Sequence, residues 1–169
     1  MSIDISDISS LSASLGNPLG TSRWFTIDQK SINAFGTTTQ DLDAMHMDPD
    51  WSKEHNPFGS TIAYGFQTLS MLTAMINDIL PRGSEEAYKL NYGFDRVRLM
   101  SPVKVGARIR GRARLKDLRR RKDGSTIVSI DVEVEIEGED KPALVATWLF
   151  LIANDIAGRR RPDMKGATT

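Results

Sequence analysis

The chain contains no cysteine. That excludes a disulfide framework, a thiol nucleophile and any thiolate metal site, and it fits a reducing cytoplasm. No run of eighteen apolar residues occurs, so the sequence encodes no membrane-spanning helix. An excess of either charge is also missing, with Lys plus Arg at 22 and Asp plus Glu at 22. Nothing in that balance calls for nucleic acid or an anionic membrane surface. The opening MSIDISDISSLSASLG lacks the basic start and continuous apolar stretch of a signal peptide. Internal repeats are absent, and histidine is scarce, with only His46 and His55 in 169 residues. What remains is a chain of ordinary domain size, long enough to bury a sizeable core.

The first half has helical periodicity. Ile5, Ile8, Leu11 and Leu15 give residues 4–15 one apolar face, ended by Gly16. Residues 23–27 have the pattern of a short strand. Thr26 with Gln29 fits a capping box ahead of Ile32 and Phe35. Asp48 is placed to cap a second short helix, with Pro49 at its first position, where a missing N–H costs nothing. A longer helix is expected over residues 63–80, stopped by Pro81-Arg82-Gly83. Its apolar residues, from Phe66 and Leu69 through Ile79 and Leu80, cover most of the circumference, so other structure should wrap it.

The second half alternates with period two. Val103, Val105, Ala107, Ile109, Ala113 and Leu115 interleave with basic residues; Val128, Ile130, Val132, Val134 and Ile136 interleave with Ser129, Asp131, Glu133 and Glu135. Two half-buried antiparallel strands follow, joined by a turn at Lys122-Asp123-Gly124. Leu90, Tyr92 and Phe94 alternate, and then the phase slips to Val97 and Leu99, which a bulge near Asp95-Arg96 would explain. Residues 143–152, ALVATWLFLI, are apolar on both phases, the pattern of a strand buried on both faces. A buried helix followed by a meander of antiparallel strands implies an α+β fold, with the sheet curled round the helix.

The segment between the two halves carries the chemistry. Asp41 and His46 lie five residues apart, and on an ideal helix such residues point about 140° away from each other. They converge only if the chain bends, and Gly36 with the polar run Thr37-Thr38-Thr39-Gln40 is expected to form a loop there. On spacing alone two readings stand: an acid–base pair, or a helix-capping Asp41 beside a solvated histidine. His55, Asp50 and Glu54 read as solvated helix-face residues. A metal site lacks a second dependable His or Cys ligand beside His46, Asp41, Asp43 and Asp48.

These residues, in this order, resemble the motif of the MaoC-like dehydratases, the (R)-specific enoyl-CoA hydratases of the hot-dog fold. Asp41 and His46 fall on that family's catalytic pair. Asp48-Pro49, Phe58-Gly59 and Gly65 fall on its scaffold positions, and Ser70 on a helix serine that contacts the site in some members. LNYGFDRVRLMSPVKVGARIRGRARL, residues 90–115, resembles the family's first two long strands. Four positions depart from the motif: Gln40 stands for a loop Gly, Asp43 for Asn, Ala44 for Pro and Tyr64 for the His before Gly65. Two carboxylates two residues apart, Asp41 and Asp43, are expected to raise the pKa of one of the pair if the bent loop brings them close.

The resemblance implies a single hot-dog domain over residues 20–153, preceded by an N-terminal segment (1–19) and followed by a basic tail (154–169) with little structure. It implies a hydratase/dehydratase working on 2-enoyl and (R)-3-hydroxyacyl thioesters, linked to coenzyme A or a carrier, without a cofactor. Asp41 and His46 would share the proton transfers. Main-chain N–H groups at Tyr64 and Gly65 would support the thioester oxygen, and Ser70 would orient Asp41 or bond back to its own helix. A homodimer in the cytoplasm is expected. Two alternatives stay open. One is a non-catalytic acyl-binding module, favoured by the altered loop. The other is a thioesterase of the same fold, for which the helix offers only Asp78. The basic residues 119–122 and those of 104–114 read first as a solvated sheet face.

Overall fold

A computed structural model describes residues 8–80, 87–153, 155–156 and 159–160. Two-fold alternation places most of the second half in one antiparallel sheet. Its strands are β1 (Pro18–Thr21), β2 (Phe25–Thr26), β3 (Tyr88–Leu99), β4 (Arg108–Arg120), β5 (Thr126–Ile136) and β6 (Leu144–Ala153). The order is β1-β4-β5-β6-β3, with β2 also pairing with β4. The helices are α1 (Ile8–Ser12), α2 (Gln29–Thr39), α3 (Ala44–Met47), α4 (Pro49–His55), α5 (Gly65–Ser70) and α6 (Leu72–Ile79). None of the described helices is long and apolar enough to cross a membrane.

Strands β4 and β5 form the expected hairpin, with Ile109 opposite Ile136 and Leu115 opposite Ile130. Their alternating apolar residues are buried, while Arg110, Arg112 and Lys116 pair with Glu135 and Asp131 along the polar face. The strand begins later than the alternation from Val103 indicates. Val103 to Ala107 form a loop instead, held by the amide of Val105 on the Thr61 carbonyl and that of Gly106 on the Ile27 carbonyl. The doubly apolar segment is β6, inside the sheet between β5 and β3. The expected slip in β3 lies between Phe94 and Arg96, and a second lies between Asn91 and Gly93. Such bulges bend the ladder and curve the sheet.

The long helix is broken in two at Met71, which joins α5 to α6 at φ −64 and ψ −17. It is also covered on fewer sides than its composition implies. Leu72, Met75, Ile76 and Leu80 are buried against the sheet, whereas Phe66, Ser70, Thr73 and Asn77 form an exposed stripe at helical spacing. Of these only Phe66 is large and apolar, and it is 74% exposed.

Three further local readings change. Helix α2 is capped by Asp28, whose carboxylate accepts from the Ser31 amide at 2.8 Å, and not by Thr26. Asp28 lies three residues before Ser31, and a carboxylate caps as well as a hydroxyl does. Residues 18–21 form a strand that no alternation announces; pairing with β4 imposes it. At the other end of the chain, Asp155–Ile156 and Arg159–Arg160 pair as a short ladder, so the structure enters the segment expected to be a tail. Residues 4–7 of the first expected helix, Pro81-Arg82-Gly83 and most of 154–169 lie outside the described residues.

Candidate active site

The loop from α2 to α4 is a chain of capped breaks. Helix α2 ends where Gln40 adopts the left-handed conformation, φ 58 and ψ 23. The amide of Asp41 then closes on the Gly36 carbonyl at 3.1 Å. Asp43 caps α3 by accepting from the Met45 amide at 2.8 Å, and Asp48 caps α4 by accepting from the Trp51 amide at 2.9 Å. These caps supply the bend that separates Asp41 from the helix carrying His46. The Phe58-Gly59 turn follows, with the Phe58 amide on Asn56 Oδ1 and Gly59 at φ +69.

His46 is held at two points. Its Nδ1 lies 2.7 Å from the Ile62 carbonyl. A carbonyl only accepts, so Nδ1 carries the proton in that bond and Nε2 is the basic atom of the neutral ring. The main-chain carbonyl of His46 accepts from Gln29 Nε2 at 2.7 Å, and Gln29 Oε1 in turn accepts from the Thr61 hydroxyl. Asp41 is exposed, and its carboxylate makes no hydrogen bond to a described residue.

Tyr64 joins the two. Its hydroxyl donates to the main-chain carbonyl of Asp41 at 2.5 Å. Its ring lies against the His46 imidazole, with centroids 3.9 Å apart and planes tilted by 31°. Phe35 packs beside it at 5.3 Å, and Tyr64 is only 4% exposed. Burial, reinforced by the negative charges of Asp41 and Asp43, pushes its phenol above the ordinary value. Gly36 makes this fit possible: a Cβ there would lie 2.3 Å from Tyr64 Oη and 2.8 Å from the Asp41 carbonyl oxygen.

The other anticipated residues are placed as follows. Tyr64 is the N-cap of α5 and Gly65 its first residue, so the first-turn N–H groups of α5 start beside the His46 ring. Ser70 does not reach Asp41. It lies on the exposed stripe, and its hydroxyl donates to the Phe66 carbonyl one turn back at 2.8 Å. Asp43 is engaged with the Met45 amide, the role that an Asn at this place would also fill. Asp78, the helix carboxylate, accepts from the Arg23 amide at 2.6 Å. Among the described residues no group of three His, Cys, Asp or Glu side chains converges. Gln29, Thr61 and Ile62 carry no local signal of their part in the site, because each reaches it across the fold.

A family model described as a MaoC like domain matches residues 10–137. Nodulation protein N of Rhizobium meliloti is 46% identical over 149 residues, covering 88% of this chain and 91% of that protein. A 3-hydroxyacyl-thioester dehydratase Z of Mycobacterium tuberculosis is 36% identical over 140 residues, 82% of this chain and 91% of that one. Among solved structures, an (R)-hydratase of A. caviae involved in PHA biosynthesis shares the fold at TM-score 0.66 and 18% identity, covering 80% of this chain and 94% of the other.

Proposed function

The chain belongs to the MaoC-like domain family, and from that premise we propose that it is a hydratase/dehydratase interconverting 2-enoyl and (R)-3-hydroxyacyl thioesters. The observation that carries the proposal is that one buried side chain, Tyr64, lies against a histidine of fixed tautomer, His46, and bonds the main-chain carbonyl of the exposed Asp41. Its relatives include a 3-hydroxyacyl-thioester dehydratase over 82% of the chain. We assign the substrate as a coenzyme A thioester, the enzyme as (R)-specific, and the working form as a cytoplasmic homodimer.

Hydration adds OH to the β-carbon and H to the α-carbon of the enoyl thioester. His46 Nε2 and the Asp41 carboxylate hold the attacking water. One of them takes its proton as the C–O bond forms, and a proton is returned at the α-carbon. Negative charge gathers meanwhile on the thioester oxygen. First-turn N–H groups of α5, at Gly65 and the residues after it, are the donors placed to support it, and the helix dipole favours the same charge. Dehydration is the reverse.

Thioester hydrolysis is the weaker reading. Asp78 is the helix carboxylate that it would use, and Asp78 is occupied by Arg23. Loss of enoyl-thioester absorbance on adding the protein to crotonyl-CoA and longer analogues tests the proposal. An unchanged absorbance across the series would leave a binding role, and release of free thiol would indicate hydrolysis.

A further inference from the structure

Tyr64 stands where the resemblance places a histidine, and its side chain does something its backbone role does not require. A buried tyrosine needs a partner for its hydroxyl. Here the partner is the main-chain carbonyl of Asp41, 23 residues earlier in the chain. The same ring covers one face of the His46 imidazole. A rigid side chain thus touches both halves of the pair: the backbone that carries the carboxylate and the ring that carries the base. We propose that Tyr64 is a positioning residue, fixing Asp41 and His46 relative to each other through its hydroxyl and its ring respectively.

The surroundings support this division of labour. The Asp41 amide bonds the Gly36 carbonyl within its own turn, and the Tyr64 hydroxyl ties the same backbone to an element 23 residues away. The exposed carboxylate of Asp41 has no hydrogen-bond partner among the described residues, so its place there is set through the main chain. Gly36 leaves room for the phenol where any side chain would displace it. Phe35 closes the other side of the ring. The phenol stays protonated through the neutral range, so the donor is always present.

The inference rests on the assignment of Asp41 and His46 as the reacting pair, and its test separates the two. The full chain is compared with Tyr64→Phe and Tyr64→Leu in two ways: crotonyl-CoA hydration, and the imidazole resonances of the chain's two histidines, with His46 assigned by their loss in His46→Ala. Tyr64→Phe keeps the ring and drops the hydroxyl. It should lower kcat roughly ten- to a hundred-fold, as expected when reacting groups are misplaced by about an ångström, with KM changed less than about two-fold. Its His46 resonances should stay shifted by the neighbouring ring, while the Asp41 amide exchanges faster. Tyr64→Leu should move the His46 resonances towards the positions of an imidazole in an unfolded peptide; His55, stacked on Trp51 at 5.3 Å, should stay where it is. Should Tyr64→Leu fail to fold, the kinetics and amide exchange of Tyr64→Phe carry the test. Wild-type kcat in Tyr64→Phe overturns the proposal, as do His46 resonances left in place by Tyr64→Leu. A wild-type chain that hydrates no enoyl thioester defeats the functional assignment instead; the resonances and the amide exchange then decide whether Tyr64 positions the pair.

Discussion

His46 gives its Nδ1 proton to the carbonyl of Ile62, a residue sixteen positions later in the chain. That single bond selects the tautomer and turns Nε2 away from the anchoring carbonyl, as a general base requires. Replacing the ring should therefore remove the base, and it also uncovers one face of the buried Tyr64 ring and takes the donor from the Ile62 carbonyl.

His46→Ala and Asp41→Asn should each lower turnover on enoyl thioesters by about 10²-fold or more. Asp41 is exposed and its carboxylate has no hydrogen-bond partner among the described residues, so Asp41→Asn should shift stability by no more than about 0.5 kcal/mol. Turnover and thermal melting of the same preparations check both statements. Wild-type turnover in either variant would make the pair structural.

Gln40 is the only non-glycine residue with a positive φ among the described residues. An L side chain in that conformation costs about 1 kcal/mol, and glycine adopts it freely. Gln40→Gly should raise the midpoint of unfolding slightly, with a gain of up to about 0.5 kcal/mol once glycine's extra chain entropy of about 0.5–1 kcal/mol is set against the strain. Denaturant titration gives the answer directly; a loss of stability would mean that the left-handed cap is not strained.

Two glycines of the site should respond differently to alanine. At Gly36 the new Cβ meets a main-chain oxygen, that of Asp41, at 2.8 Å as well as Tyr64 Oη at 2.3 Å. Gly36→Ala should cost about 1–3 kcal/mol. At Gly65 the Cβ meets the end of Leu99 at 2.3 Å, and Leu99 is 55% exposed and free to turn aside. Gly65→Ala should cost less than about 1 kcal/mol. Equal losses in the two melting curves would contradict this account of the packing.

Tyr64 also gives the fold a pH limit. Burial raises its folded-state value above the ordinary 10.0. The unfolded chain therefore loses the phenolic proton first as the solution becomes alkaline. This contribution to stability is complete below pH 10.0 and is lost as pH rises through the folded value. Between neutral and strongly alkaline pH, Tyr64→Phe should lose less stability than the wild type. Parallel curves for the two proteins would show that Tyr64 does not contribute.

A homodimer of twice the 18.8 kDa chain is expected. Strand β3 ends the sheet and exposes Leu90, Tyr92 and Leu99 at 43%, 52% and 55%, more apolar surface than an edge strand usually leaves in water. Sedimentation at micromolar concentration reads the mass, and a monomer there would count against the assignment.

Much of this could be read along the chain because it is local. Alternation from Ile109 to Leu115 and from Val128 to Ile136 reports one buried face, and the doubly apolar 143–152 reports a strand covered on both faces. Asp48-Pro49 marks a helix start by its own chemistry, and the phase slip after Phe94 marks a bulge. The rest depends on contacts distant in sequence. Pro18 to Thr21 become a strand only because β4 presents an edge to them. Asp43 resolves into a cap because the Met45 amide needs an acceptor. Ser70 turns outward because Gln67 and Thr68 occupy the buried side of its helix. Nothing near Gln29 or Ile62 announces that each will hold one end of His46.

The two margins of the sheet are unequal. One ends in the twelve residues of β3, the other in the four of β1 and the two of β2 laid over β4. If two copies pair through β3, they use up the longest edge strand among the described residues. Two copies joined there present short, interrupted margins to a third, and addition stops. An assembly of this kind limits its own size: concentration can fill it but cannot lengthen it into a fibre.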